Sequence, residues 1–379
     1  MCEVSSYDVV VVGARPAGAA TAMLLARQGK RVLLLDRDRY GTDTTSTHAL
    51  MRGGVLLLSR WGLLDRIVAA GTPPVRQTLF DYGADQVTVA IKPSPGVDAL
   101  YAPRRTVLDP VLVDAAAGAG AVVRYGVTVT GLLRDGNGRV VGVNGRDRDG
   151  SDVVVRAGLT IGADGIRSTV AREAGATRTR TGRGAGAIIY GYWSDLPVDG
   201  YEWFYRPGHS AGLIPTNDGE VCAFAGVPER DRGRDYLAML AAATGGAGGR
   251  LAAARPPRRL RTWVGRPSFM RQATGPGWAL VGDAGSFLDP LSTHGITDAL
   301  RDAELLARAG DDLDMYAAER DLLIGPMHDV VDRIASYGWD TDQLQRELRE
   351  LSVTMAAELE LIQSADSTRA ASRLAPNLA

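Results

Sequence analysis

The sequence is poor in lysine, cysteine, charge of one sign and long apolar runs, and each shortage removes a class of protein. Lys30 and Lys92 are the only lysines, so arginine supplies nearly all the positive charge, which we read as coding bias before chemistry. The two cysteines, Cys2 and Cys222, can close at most one bridge. A disulfide-stapled fold is therefore not expected, and a reducing, cytoplasmic compartment is. With 43 basic and 44 acidic residues the formal charge is −1, which leaves no one-signed field to hold nucleic acid or an anionic membrane. No apolar run reaches the roughly 18 residues of a membrane span. The first apolar stretch lacks a basic leader and is broken by Arg15 and Pro16, so neither a span nor a signal peptide is expected. His-Glu-x-x-His and Cys-x-x-Cys do not occur, and no metal site is predicted.

What is present suits a sizeable globular protein: 379 residues, 45% apolar and 23% charged, can bury one large core or two modest ones. "YDVVVVGARPAGAATAMLLARQGKRVLLLDRD" reads as a buried strand at Asp8 to Val12, a glycine turn, a helix from about Ala17 to Gln28 and a second strand at Val32 to Leu35. Its continuous Val and Leu runs predict a parallel sheet covered on both faces. Helical spacing from Val55 to Ala70 predicts one helix, stopped by Thr72-Pro-Pro. A small β-excursion follows over 76–102, then helix and strand return over 103–170, ending in a hairpin at 139–162 with an Asn, Asp and Gly turn. From 171 to 265 short aromatic strands alternate with Gly and Pro turns, predicting a second, mostly antiparallel sheet. "WALVGDAG" restores the first domain over 266–310, and 311–379 is helical in pattern. The predicted fold is α/β: a dinucleotide-binding domain assembled from 1–75, 103–170 and 266–310, an inserted β-sheet substrate domain, and a C-terminal helical segment.

The motifs sit at the ends of predicted strands. Gly13, Ala14, Pro16, Ala17 and Gly18 lie in "GARPAG", which keeps the first and last glycines of G-x-G-x-x-G but carries Arg15 where a middle glycine lets pyrophosphate approach the backbone. The helix that opens there presents its N-terminus to phosphate. Asp36 and Arg37 end the second strand, about 20 positions on, where an acidic residue takes a ribose hydroxyl. "GDAGSFLDPLSTHG" at 282–295 follows an apolar strand and leads into an amphipathic stretch, the wording of a strand that ends at a polar ligand and hands over to a helix.

Together with "GADGIRSTVARE" at 162–173, these stretches resemble the three signatures of the class A flavoprotein monooxygenases, the para-hydroxybenzoate hydroxylase fold, in order and approximate separation over roughly residues 7–310. One departure is Ala171, where an arginine often stands, with Arg172 one place later. The resemblance implies FAD as cofactor, NAD(P)H as transient reductant and dioxygen as co-substrate. It assigns Asp164 to a segment touching FAD and the visiting nicotinamide, and Gly282 and Asp283 to the pair whose aspartate binds the ribityl chain. It places Pro290 beside the flavin ring and the backbone N–H groups near His294, Gly295 and Ile296 at its pyrimidine edge, where a helix pole stabilises negative charge. Arg105, in "RRTVLDPVL", matches a basic FAD contact. His48, in "TSTHAL", is the histidine expected nearest the flavin, either as a proton acceptor or orienting group, or as a residue satisfying loop carbonyls.

Alternation puts Tyr190 with Tyr192, and Trp203 with Tyr205, on one face each of their strands, which suits a pocket for a bulky planar substrate. The resulting expectation is an FAD-dependent monooxygenase that oxygenates an aromatic or polyketide-like small molecule through a flavin C4a-hydroperoxide, as in secondary-metabolite tailoring. Three rivals stand beside it: a geranylgeranyl-reductase-like enzyme or dehydrogenase, a flavin-dependent halogenase, and a flavin-loaded binding protein without turnover. The halogenase signature Gly-Trp-x-Trp-x-Ile-Pro is not present; "HSAGLIPTND" is the nearest segment. The helical tail reads either as a cap on the pocket or as a homodimer face.

Overall fold

Four apolar residues in succession, Val9 to Val12, are buried on both sides of one strand, and the architecture follows from that double burial. In the computed structural model, which describes residues 6–245 and 248–374, Val9 and Val11 pack with the helix Pro16–Arg27, while Val10 and Val12 pack in a second layer with Val170 and Trp278. Cys2 and residues 375–379 lie outside the described residues.

The sheet containing this strand runs in the order Thr274–Gly275, Trp278–Leu280, Asp152–Gly162, Ser6–Val12, Val32–Asp36, Val122–Tyr125. From Trp278–Leu280 to Val122–Tyr125 all neighbours are parallel. The long strand Asp152–Gly162 also pairs antiparallel with Val140–Arg146, which carries Thr128–Arg134. Three sequence-distant strands therefore end side by side at Val12, Gly162 and Leu280, each followed by one of the three motifs.

The second sheet is ordered Arg261–Trp263, Gly186–Trp193, Val221–Pro228, His209–Pro215, Tyr201–Arg206, Gln77–Asp81, Gln86–Ala90. All its pairings are antiparallel except Tyr201–Arg206 with Gln77–Asp81. One face, with Phe204 and Leu213, is covered by the helix Tyr236–Thr244. The other, with Tyr190, Trp203 and Phe224, joins the core of the first domain.

The stretch expected as one helix from Val55 to Ala70 is two, Arg52–Arg60 and Leu64–Ala69. Gly62 between them takes φ 75°, a left-handed conformation that ends a helix while the apolar spacing continues past it. The helices Leu313–Ala335 and Thr341–Leu374 are the last elements among the described residues. Among the described residues no helix is long and apolar enough to cross a membrane.

Candidate active site

The three strand-end turns touch one another. Gly13, at φ 105°, passes so near the next strand that a Cβ there would lie 2.4 Å from the Ala163 carbonyl oxygen. A Cβ on Gly18 would lie 1.8 Å from the Gly13 carbonyl oxygen, and one on Gly282 2.9 Å from Ala17 Cβ. Glycine at these positions is a packing requirement that lets the first helix and the Gly282–Asp283 turn converge. Gly13, Ala14, Pro16, Ala17, Gly18, Asp164, Gly282 and Asp283 thus form one continuous floor.

Around that floor the polar groups are mostly engaged. Ala14 N–H and Asp38 N–H donate to the two Asp36 oxygens at 2.6 and 2.7 Å; each carboxylate oxygen retains a lone pair for a sugar hydroxyl. Arg37 is exposed. Arg15 turns sideways to Asp109 (2.9 Å), Asp38 (3.1 Å) and the Thr42 carbonyl (2.6 Å). It lines a shallow cleft with Ala14, Asp36 and Tyr125. Arg105 holds Asp109 from the other side through two bonds, at 2.7 and 3.0 Å. Asp164 accepts from Ser168 Oγ at 2.5 Å and Thr169 N–H at 2.6 Å, capping the short helix Thr169–Ala174, and burial pushes its carboxyl upward.

Asp283 differs from all of these, because no hydrogen bond or ion pair reaches its carboxylate among the described residues. Burial raises it to about 7, Asp298 and Asp302 push in the same direction, and Arg105 opposes them. Asp283 is only partly buried, so its acceptor oxygens remain open to hydroxyl donors from a ligand. Beside it, after Pro290, the helix Gly295–Ala309 begins, with Gly295 exposed and open space where its Cβ would lie. Ile296 is partly exposed. An acceptor in want of hydroxyl donors beside an open helix pole is the donor set a polyhydroxylated, anion-stabilised cofactor needs, so these residues fit FAD. The His294 side chain is turned away into a buried ionic cluster.

Across from this floor stands the aromatic face of the second sheet. Tyr190 is buried and its hydroxyl accepts the Ser46 N–H at 2.9 Å, while burial pushes its phenol up to about 12. His48 is 1% exposed with φ 72°, and its Nε2 lies 2.6 Å from the Tyr192 hydroxyl. Its Nδ1 is buried with no partner. Burial, then the guanidiniums of Arg105, Arg104 and Arg261, hold the ring well below the usual histidine range, so it is neutral at physiological pH. Arg104 stacks 3.5 Å above the Tyr192 ring and pairs with Glu220, and Arg261 pairs with Asp43 at 2.5 Å. Trp203 tilts against Phe224, and Tyr205 meets Trp339 of the C-terminal segment edge-on. Tyr190, Tyr192, Trp203 and Tyr205 therefore share the face that joins the first domain.

"GHSAG" at 208–212 spells the Gly-x-Ser-x-Gly of a hydrolase elbow, but Ser210 lies within the strand His209–Pro215 and bonds Tyr337. No strand-to-helix turn exposes it, so the motif builds no nucleophile elbow here. Sequence reasoning also missed Asp109, the hub between Arg15 and Arg105, and Glu358, which reaches His294. Asp109 carries an i, i+4 signal with Arg105; Glu358 carries none.

A parallel sheet with converging glycine turns and an acidic, helix-capped cradle defines a dinucleotide-binding protein. A model of the FAD binding domain family matches residues 6–309, and the chain belongs to that family of FAD-dependent oxidoreductases. It is 31% identical over 330 residues to the menaquinone reductase of Mycolicibacterium smegmatis, covering 79% of this chain and 75% of that one. The flavin-dependent brominase Bmp2 superposes with a TM-score of 0.76 at 20% identity, covering 96% and 100% of the two chains. PqsL from Pseudomonas aeruginosa, described as "a probable FAD-dependent monooxygenase", superposes at 0.71 with 18% identity, covering 91% and 100%. The fold is common to these proteins; the chemistries differ, so the reaction must be argued from the site.

Proposed function

We propose that the chain is an NAD(P)H-consuming, FAD-dependent monooxygenase acting on a planar aromatic or polycyclic small molecule. The observation that carries this reading is the partly exposed Tyr192, bonded to His48 and stacked by Arg104, at the border of an aromatic face whose Tyr190, Trp203 and Tyr205 are packed into the core behind it. Bound FAD would supply reduction by NAD(P)H and the activation of dioxygen. The protein's share is to hold a flat ligand and exclude water. Asp283 would take ribityl hydroxyls, Asp36 a ribose hydroxyl, and the N-terminus of Gly295–Ala309 the pyrimidine edge. Neutral His48, steadied by Tyr192, can exchange a proton with a substrate hydroxyl at Nδ1. The halogenase alternative draws no support from lysine: Lys92 is exposed and Lys30 pairs with Asp311 at the surface.

A second reading, reduction of a quinone- or alkene-bearing substrate, is favoured by the likeness to a menaquinone reductase. Oxygen separates the two. Purified protein should be yellow, and aromatic compounds should stimulate its NAD(P)H oxidation. Under ¹⁸O₂ the product should carry the label, whereas unlabelled product formed equally well without oxygen would establish the second reading in place of the first.

A further inference from the structure

Five charged side chains interlock beneath the segment from Gly282 to Gly295, and one comes from the far end of the chain. Asp302 accepts the Gly282 N–H at 2.9 Å on one oxygen and Arg301 Nη2 at 2.8 Å on the other. Arg301 Nη1 donates to Asp298 at 2.5 Å and to Glu358 at 2.7 Å. His294 completes the ring, Nδ1 at 3.0 Å from Asp298 and Nε2 at 3.0 Å from Glu358. None of the five side chains is more than 7% exposed. Burial alone would keep His294 neutral, but Glu358 and Asp298 push it up to about 10, so it is an imidazolium. The ring holds three carboxylates and two cations, and two of those carboxylates, Asp298 and Asp302, add to the effect of burial in pushing the Asp283 carboxyl upward.

Four of these residues lie at or within the helix Gly295–Ala309; Glu358 lies on Thr341–Leu374. The helix Arg52–Arg60 is wedged between the two. A Cβ on Gly53 would lie 3.4 Å from Glu358 Oε2, and one on Gly54 2.8 Å from Thr297 Oγ1. The donor atoms of His294, Asp298 and Glu358 lie within 4.8 Å of one another, close enough to gather round a cation. The Arg301 guanidinium already bonds two of those carboxylates, so a metal ion would be seated against a like charge.

We propose that Glu358 is a positioning residue for the cofactor: through it the C-terminal helix fixes both the Gly282–Asp283 turn and the N-terminal pole of Gly295–Ala309, and so sets how tightly FAD is held. Removing one member of a buried ionic set leaves its partners undercompensated, and they move or rehydrate. The partners here are joined to the backbone groups assigned to the flavin. The inference rests on the chain's membership in the FAD binding domain family, not on the monooxygenase reading.

The test is FAD titration of the full-length FAD-free chain, wild type, Glu358→Gln and Glu358→Asp, at a temperature where circular dichroism shows each folded. Glu347→Gln, on the same helix but paired with Arg333 at the surface, is the control. Glu358→Gln should raise the FAD dissociation constant about tenfold or more and shift the visible band of bound flavin; Glu358→Asp should fall between, and Glu347→Gln should match wild type. A purely structural role predicts lower melting temperatures with unchanged affinity and spectrum, and that result overturns the proposal. If Glu358→Gln does not fold, Glu358→Asp decides: affinity within about twofold of wild type overturns it. Loss of FAD affinity on chelation, restored by zinc or manganese, would overturn it in favour of a metal site. A wild-type chain that takes up no FAD overturns the flavin assignment and the proposal together.

Discussion

At the scale of single residues, Asp283 and His48 stand out: Asp283, partly buried, has a carboxylate with no partner among the described residues, and His48 is buried with its Nδ1 unpartnered. For Asp283 the missing donors are sugar hydroxyls, and hydrogen bonds to a charged group contribute about 1.5–3 kcal/mol each. Asp283→Ala should therefore weaken FAD binding by roughly 10- to 100-fold, measured by quenching of flavin fluorescence on titration. Asp283→Asn, which keeps one acceptor, should lie between; wild-type affinity in the alanine variant would remove Asp283 from the site. His48 leaves Nδ1 free while Tyr192 occupies Nε2. If His48 transfers a proton, His48→Gln should lower turnover by about 100-fold and leave FAD affinity unchanged. A fall in FAD affinity with normal turnover per bound flavin would instead make His48 a cofactor contact.

At the scale of elements, close approach is set by small residues. Gly54 lets Arg52–Arg60 lie against Thr297, whose Oγ1 accepts the Met51 N–H at 3.2 Å. Adding a methyl group there should destabilise the fold by about 1–3 kcal/mol. The double change Gly54→Ala with Thr297→Ala should cost less than the sum of the singles, because the clash needs both groups; chemical denaturation measures each, and strict additivity would show that the helices do not touch as described. The same contrast explains what was legible in the sequence. The unit from Ser6 to Asp36 was readable because strand, turn and helix are specified by neighbouring residues, and the aromatic strands because alternation is local. The break at Gly62 was not, since the apolar period runs on through it. Asp109 was hidden by its ordinary place in a helix. Glu358 was hidden more deeply: it meets Arg301 57 positions away, from a helix whose own pattern gives no reason to bury a carboxylate.

At the scale of the whole molecule, the buried titratable groups set how stability depends on pH. Above neutrality two shifts lead. His294 has a folded-state pKa raised from 6.5 to about 10, so its contribution is complete below about 6.5 and is lost as pH rises toward 10. The Cys222 thiol is raised from 9.0 to about 12, an acid held neutral by burial, so the fold again loses stability as pH rises above 9. Below neutrality the trends conflict: Asp283 and Asp289, raised to about 7, favour low pH. His48, held neutral, favours rising pH up to about 6.5. The decisive window is therefore pH 7 to 9.5, where the unfolding temperature of the FAD-free chain should fall steadily. His294→Gln removes the group responsible, so its unfolding temperature should begin lower and change little over that range. Thermal melts of both proteins check this directly. A wild-type profile that is flat or rising, or a glutamine variant that falls as steeply, would mean that His294 is not the imidazolium its two carboxylates require.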